Sequence, residues 1–524
     1  MGNECTKIRK SEKKPKMLRW NLINEECDIA QLNAPETTFN EQYDYMLNRI
    51  KESNRLNNDE KKAAEENIAF MRDRENLIRL KEIKYPCKSG KCKKLGYTKL
   101  FCEHCVRKFL VDNFPNWTSG SKIIDDAIQD AQINLPFPRY IVEWIPYDDL
   151  DHEKTKYKAK GGFATIYTTI WKKGVIMSFN SKKQEFERGE PGIVILKNLS
   201  NGKNTDERFL KEIGTHISLT SKGYTVATCY GITRNPVTGD YILVLANYEQ
   251  DLRSYIKNSY NKITWKETYQ IFYNISEDLY NMHRDGLVHC DLHCGNILKS
   301  KGNLFQISDF GVSGPVGKER TVVYGMPPFI APEVLENRNY TTKSDIYSIG
   351  MLMYYVAAGQ NPFECNNQTL NLDILNGHRP LIPSGLPQNF QHVIELCWNQ
   401  NPDKRPSAED LYYFFLSEYE AESKNPTPKN VTFPNKVTTN IYEGESTLHP
   451  TMSHKASLVT DSYPSQSKDN VTISVESPNP DATKKVDSLA DDNSDFFEQF
   501  RQNNQNKKPR LIKKGHLVKL SQPN

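Results

Sequence analysis

The sequence predicts an α+β fold, and three observations carry that expectation. Short apolar runs with strand character, IVILK at 193–197 and YILVLANY at 241–248, stand in the middle of the chain. Another apolar run (Leu304, Phe305, Ile307) follows the polar loop LVHCDLHCGNIL, Leu287 to Leu298, across a short hairpin. At 524 residues the chain exceeds the ~250 at which single cores stop growing, so one large unit with accessory segments is expected.

The loop sets His289, Asp291 and Asn296 in the pattern HxD(x4)N, and Asp309, Phe310 and Gly311 come after the hairpin. In this order the two motifs point to phosphoryl transfer: one carboxylate can accept a hydroxyl proton while an amide and a second carboxylate hold magnesium. Further motifs keep a fixed order around them. Lys197 ends IVILK, Glu212 stands in FLKEIGTH, and downstream come Ala331, Pro332 and Glu333, Asp345 in KSDIYSIG and Arg405 in CWNQNPDKRPS. A lone Lys or Glu is ordinarily a solvated surface charge, so the weight lies in the order. Over about half its length the chain resembles the eukaryotic protein kinases.

That resemblance implies a kinase domain at 150–421, with a small lobe of mostly antiparallel strands and one helix, a large α-helical lobe, and ATP with magnesium in the cleft. It assigns Lys197 to the first two phosphates with Glu212 as its partner, Asp291 to proton acceptance, and Asn296 and Asp309 to magnesium. Gly161, Gly162, Phe163, Ile166, Leu245, Asn247 and Leu298 would line the nucleotide, with Leu245 at the end of the strand entering the hinge. Glu333 and Arg405 would form a structural ion pair, and Asp345 would brace the catalytic loop from a buried helix. CWNQNPDKRPS resembles tyrosine-kinase-like serine/threonine enzymes, so a protein Ser or Thr is the expected acceptor, ahead of tyrosine. A nucleotide-binding pseudokinase or scaffold is the alternative. HxDLHxGN also resembles antibiotic and choline kinases, but the downstream motifs resemble a protein-substrate platform.

Departures from the family pattern bear on activity. The phosphate-covering loop carries Ala159 and Ala164 where glycines are usual, which adds bulk beside backbone amides that approach phosphate; weakened ATP affinity is expected. Cys290 replaces an Arg that clamps a phosphorylated activation loop, so phosphorylation there is expected to be dispensable; Ser313, Thr321 and Tyr324 are candidate phosphosites. His293 replaces a Lys and Met326 a Thr; a neutral imidazole at 293 can still donate a hydrogen bond to the transferring phosphate and a protonated one would add charge, so His293 is a candidate catalytic residue and turnover that depends on pH near neutrality is expected. Cys290 and Cys294 would be oxidation-sensitive only as exposed thiolates. Residues 175–192, long and charged between the second and third strands, read as a surface loop.

Ahead of the kinase motifs, at 85–149, Cys87(x4)Cys92 and Cys102(x2)Cys105 resemble the knuckles of a zinc ribbon, with His104 a spare. NWTSG and a helical stripe (Ile123, Ile124, Ala127, Ile128, Ala131) follow and read as core packing, then EWIPY leads into the domain; the three together resemble the front end of a family of fungal kinase-like proteins. Residues 37–84 are charged, with Tyr43, Met46, Ile50, Ile68, Met71 and Ile78 at helical spacing, and read as a solvated helical arm whose second helix Asn58 caps. Residues 1–36 open with MGNECTK, a myristoylation pattern at Gly2 with Thr6 and Cys5, before the basic residues Lys7 to Lys16, so contact with a membrane surface is a candidate role. The 422–524 tail, rich in Ser, Thr, Asn and Lys, reads as disordered, and its basic run at 507–514 as a solubilising end or nuclear signal.

With 69 Lys and Arg against 65 Asp and Glu, a charge of +4 gives no reason to expect nucleic acid. No apolar run reaches the ~18 residues of a membrane span, and 11 unevenly spaced cysteines fit reduced thiols in the cytosol rather than a disulfide framework. Oligomeric state is not legible.

Overall fold

The computed structural model describes residues 18–35, 38–79, 84–87, 92–160, 164–199, 207–301, 303–318, 320, 322–363, 369–425 and 496–502. Outside them lie Gly2, Cys5, Thr6 and the basic residues behind them, the loop residues Gly161, Gly162 and Phe163, the candidate phosphosite Thr321, and the stretches 426–495 and 503–524. Contacts divide the chain into two compact units, Met1–Arg72 and Asp73–Asn524.

The first unit holds α1 (Trp20–Leu32), α2 (Phe39–Glu52) and the start of α3 (Asn58–Arg79). Thr38 and Glu41 close a capping box on α2. Asn57, not the expected Asn58, caps α3: its Oδ1 accepts the Glu60 N–H at 3.0 Å, and Glu60 Oε2 accepts the Asn57 N–H at 3.0 Å. Tyr43, Met46, Ile50 and Ile68 are buried with Ile23, Cys27, Ala30 and Ala64 in one core. The solvated arm is therefore corrected to a packed helical unit. The narrow stripe of α2 and α3 is completed by α1, whose apolar face lies in the segment taken for a basic leader.

In the second unit a short hairpin, β1 (Tyr85–Pro86) with β2 (Leu95–Gly96), precedes α4 (Glu103–Asn113) and α5 (Lys122–Asn134). Asp73 of α3 accepts the Lys99 and Leu100 amides and fixes the turn that leads into α4. In NWTSG, the Thr118 and Ser119 hydroxyls donate to Asp125 at 2.6 and 2.5 Å, which ties that turn to α5.

The small lobe is a six-stranded sheet in the order β3-β9-β10-β8-β5-β4, from β3 (Glu143–Trp144), β4 (Lys156–Lys160), β5 (Thr165–Trp171), β8 (Gly192–Asn198), β9 (Cys229–Arg234) and β10 (Tyr241–Ala246). All its pairings are antiparallel except β3 with β9, where EWIPY adds a parallel edge strand. Gly231 permits that pairing, because a Cβ there would sit 2.1 Å from the Glu143 carbonyl oxygen. The helix of this lobe, α6 (Glu207–Ser221), buries Ile213 and Ile217 against Ile124, Ile128 and Ala131 of α5, with Val142, Ile232 and Leu243 completing the cluster. The expected surface loop at 175–192 is instead a hairpin of β6 (Ile176–Asn180) and β7 (Glu185–Arg188). Phe179 and Phe186 meet Phe109 of α4 edge-on at 5.6 and 5.1 Å, so alternate apolar residues hidden among charges give it a packed face.

The large lobe begins with β11 (Gln250–Asp251) and continues through α7 (Leu252–Ser259), α8 (Trp265–Arg284), β12 (Leu287–Val288), β13 (Ile297–Lys299), β14 (Phe305–Ile307) and β15 (Gly314–Pro315). It then runs through α9 (Pro332–Asn337), α10 (Thr342–Ala358), α11 (Leu370–Leu375), α12 (Gln388–Cys397) and α13 (Ala408–Lys424). Every residue of α10 from Ser344 to Ala358 is buried, as expected of the bracing helix. Phe272, Phe390, Phe414 and Phe415, all fully buried, join α8, α12 and α13. Within the tail expected to lack order, residues 496–502 are helical and bury Phe497 and Phe500.

Ile128 is fully buried between α5 and α6. Ile128→Ala is expected to cost about 2–4 kcal/mol through lost burial and a residual cavity. A urea unfolding curve should show a lower midpoint at unchanged slope; an unshifted midpoint contradicts the α5 to α6 packing.

Candidate active site

Three elements far apart in sequence meet at Lys197. From β8 its Nζ donates to Glu212 Oε1 of α6 at 2.6 Å and to Asp309 Oδ1, after β14, at 2.9 Å. Burial alone would push the ammonium down, but the Asp309 and Glu212 carboxylates outweigh it and raise it above its ordinary value. Burial would raise Asp309, yet Lys197 holds it at about 2, so it stays a carboxylate. Asp309 adopts φ 65°, in the left-handed region. Gly311 has no room for a side chain, because a Cβ would lie 2.8 Å from Glu212 Oε2. Phe310 between them is fully buried and lies edge-on to His216 of α6 at 4.8 Å and to His289 at 5.6 Å.

The catalytic loop hangs on Asp345 of α10. Its Oδ2 accepts the His289 N–H at 2.9 Å and faces His283 Nε2 at 2.9 Å, and its Oδ1 accepts the Cys290 N–H at 3.0 Å. His289 Nδ1 accepts the Asp291 N–H at 3.3 Å, which leaves the proton on Nε2, 3.0 Å from the Ser308 carbonyl oxygen. This neutral imidazole ties the loop to the strand that delivers Asp309. Asn296 Nδ2 donates to the Asp291 carbonyl at 2.9 Å and lies 3.4 Å from its carboxylate. Burial, then the charge of Asp309, pushes Asp291 up to about 8, which suits a group that accepts a proton near neutrality.

His293 has the same kind of fixed tautomer. Its Nδ1 accepts the Gly295 N–H at 3.0 Å, so Nε2 carries the proton and faces Asp291 Oδ1 at 3.5 Å. Burial, then the Arg253 charge, lowers it to about 3. The expected titration of His293 near neutrality is therefore corrected: the ring is neutral there.

Cys290 is also held in the left-handed region, at φ 71°. Burial pushes its thiol and that of Cys294 up, so neither is a thiolate. Where the family's loop arginine is absent, the activation segment supplies a cation of its own. Arg320 Nη2 donates to Cys290 Sγ at 3.1 Å and Nη1 to the Val312 carbonyl at 2.7 Å, and the guanidinium lies 4.8 Å above the Tyr340 ring. Ser313 is fully buried and donates to the His289 carbonyl, which removes it as a phosphosite. Arg405, also fully buried, grips Glu333 through both guanidinium nitrogens at 2.7 and 2.8 Å.

The expected nucleotide-lining residues fall on the elements that flank Lys197. Ile166 of β5 is its cross-strand partner, Leu245 lies on β10 with Asn247 just beyond, and Leu298 lies on β13. Ala159 and Ala164 flank loop residues that lie outside the described ones. Sequence reasoning missed Arg320, Arg253 and His216, whose roles depend on tertiary neighbours, and Asp278 of α8. Asp278 accepts the Ile307 amide at 3.1 Å and, with Asn274, which accepts the Phe305 amide at 3.2 Å, so fixes β14; no sequence signal marked either residue.

A second cluster lies in the front module. Cys87 follows β1, Cys92 precedes β2, Cys102 immediately precedes α4 and Cys105 lies in its first turn. Their four Sγ atoms lie within 4.8 Å of one another, with Cys87 to Cys105 and Cys92 to Cys102 each 3.6 Å apart. His104 is not in the group; its Nε2 faces the Leu95 carbonyl.

The family model described as protein tyrosine and serine/threonine kinase matches residues 154–415, half of the chain. A protein of Acanthamoeba polyphaga mimivirus named a serine/threonine-protein kinase/receptor is 34% identical over 165 residues, covering 31% of this chain and 10% of that protein. A Dictyostelium discoideum protein named a serine/threonine-protein kinase is 24% identical over 303 residues, 55% of this chain and 21% of its own. The RGS domain-containing serine/threonine-protein kinase A of the same organism is 29% identical over 159 residues, 30% and 14%. The chain thus spans a tenth to a fifth of the length of these curated relatives.

His216 and His293 are both lowered from 6.5 to about 3 by burial first. The unfolded chain therefore binds their protons before the folded one. Their stabilisation is complete above pH 6.5 and is lost as pH falls from there towards 3, with a slope of at most about 1.4 kcal/mol per pH unit for each. Asp291 and Asp278, each raised to about 8 by burial first, take up protons in the fold over the same range and oppose this loss, so the test is a difference between two proteins. From pH 7.5 to 5.5 the urea midpoint of His293→Gln, which keeps a neutral donor and acceptor, should rise relative to that of wild type. An unchanged difference between the two midpoints would contradict the buried neutral ring.

Proposed function

We propose that this chain, which belongs to the protein tyrosine and serine/threonine kinase family, transfers the γ-phosphate of ATP to a Ser or Thr hydroxyl of a protein. The observation that carries the proposal is the junction of Lys197, Glu212 and Asp309 beside Asp291 and Asn296. Lys197 would steady the phosphates, and its tie to α6 keeps the ammonium from swinging away. Asn296 and Asp309 offer the amide and carboxylate oxygens that suit magnesium, which when bound would offset phosphate charge. Asp291, held by Asn296, would accept the hydroxyl proton. The names of the relatives support Ser or Thr as acceptor.

Wild type should label a Ser/Thr peptide panel from radioactive ATP, and Asp291→Asn should lower the rate by about 10²–10⁴ while leaving nucleotide binding intact. Equal labelling by both proteins, or none by either with ATP still bound, would favour a nucleotide-binding scaffold instead.

We also propose that Cys87, Cys92, Cys102 and Cys105 hold a structural zinc. Tetrahedral zinc with bonds of about 2.3 Å sets sulfurs about 3.8 Å apart, close to the two 3.6 Å spacings and far from a disulfide. Burial, first, pushes the thiols of Cys102 and Cys105 up by disfavouring their thiolates, a penalty that a bound zinc cation would offset. Elemental analysis of the purified chain should find about one zinc per chain, and chelation should lower the unfolding midpoint. Cys102→Ser protein with full zinc content would refute the site.

A further inference from the structure

The large lobe carries an aromatic seat outside the active site, and it is filled. Residues 496–502, FFEQFRQ, are helical, so Phe496, Phe497 and Phe500 share one face while Gln499 points to solvent. Phe497 is 4% exposed and Phe500 8%, in a segment with no regular element described on either side. Phe500 meets Phe414 of α13 edge-on at 5.0 Å, and Phe496 meets Phe414 at 6.0 Å and His392 of α12 at 4.8 Å.

A charge fixes the register of this contact. Arg501 Nε donates to Asp410 Oδ1 at 2.7 Å, while Asp410 Oδ2 accepts the Ser407 amide and hydroxyl at 2.8 and 2.7 Å as part of the α13 capping box. Asp410 is 6% exposed, so its free oxygen presents a fixed acceptor at the edge of the seat. Three aromatic side chains and one guanidinium at set spacing are a recognition pattern of the helix-in-groove kind.

We propose that the face formed by α12 and α13 is a docking groove for a helical Phe-Phe-x-x-Phe-Arg segment, held in cis by the chain's own residues 496–502 and open to exchange with a partner segment of the same pattern. Covalent attachment gives the resident segment an effective concentration on the order of 1 mM, so a segment of intrinsic Kd about 100 µM would occupy the groove about ten-elevenths of the time. A free peptide of that pattern then meets mostly filled grooves.

The test uses a fluorescent peptide of residues 492–506 and the full-length chain, as wild type and as the double variant Phe497→Asp, Phe500→Asp, which empties the groove without altering it. The emptied chain should bind the peptide about tenfold more tightly than wild type, and a peptide carrying Arg501→Glu should bind it more weakly. In wild type, hydrogen exchange should show protected amides across 496–502, lost in the variant. Equal peptide affinity of the two chains, no binding by either, or unprotected amides in wild type would each overturn the proposal, and a wild-type dimer that the double variant converts to monomer would show the segment seated in a second copy instead.

Discussion

A single ammonium decides whether the two lobes share a site. Lys197 is 7% exposed, and a buried charge of this kind persists only where partners replace the water it has lost. Its partners come from α6 and from the residue after β14, so one side chain ties the sheet, its helix and the catalytic edge of the large lobe. Burial first, and then the charge of Asp309, push the neighbouring Asp291 carboxyl up towards neutrality, while Lys197 draws it down. A shift of α6 would therefore unpair the lysine and retune the base together. The edge-on packing of Phe310 on His216 restricts such a shift from the large-lobe side.

The other restraint on α6 lies ahead of the sequence motifs. Ile124, Ile128 and Ala131 of α5 cover Ile213 and Ile217, and the Tyr241 hydroxyl donates to the Ser119 carbonyl at 3.0 Å, locking NWTSG to the sheet. α4 meanwhile seats the β6–β7 hairpin through Phe109, and Arg188 of that hairpin pairs with Glu143 of β3. The cysteine cluster starts α4, so the order of that module reaches the small lobe on two sides. This explains why residues from Asp73 onward fall into one compact unit with both lobes.

The candidate site was legible because phosphoryl transfer demands fixed residue types at fixed spacing, and the resemblance singled out Lys197, Glu212, Asp291, Asn296 and Asp309 before any geometry. Elements whose evidence was spread or diluted were not. Phe179 and Phe186 alternate with charges, so their hairpin resembled a solvent loop. α1 brings Ile23 and Cys27 to a core whose other walls looked too narrow to need one. FFEQFRQ is a seven-residue island in polar sequence, and averaging over the tail erased it.

The substitutions in the catalytic loop make sense as a set once the tautomers are known. With Cys290 in place of an arginine, a cation reaches the loop from Arg320, which is itself held by Tyr340 and the Val312 carbonyl. The Tyr340 hydroxyl spans the backbone of Tyr324, donating to its carbonyl and accepting its amide, each at 2.6 Å. The segment is thereby fastened by neutral hydrogen bonds and one ring-stacked guanidinium, none of which needs an added phosphate. His293 follows the same economy: its neutral ring lies 3.5 Å from the Asp291 carboxylate and adds no positive charge that would pull its pKa down. A loop lacking both usual cations thus still holds its carboxylate in place, through the Asn296 amide and through Asp345, which accepts the His289 and Cys290 amides just ahead of it.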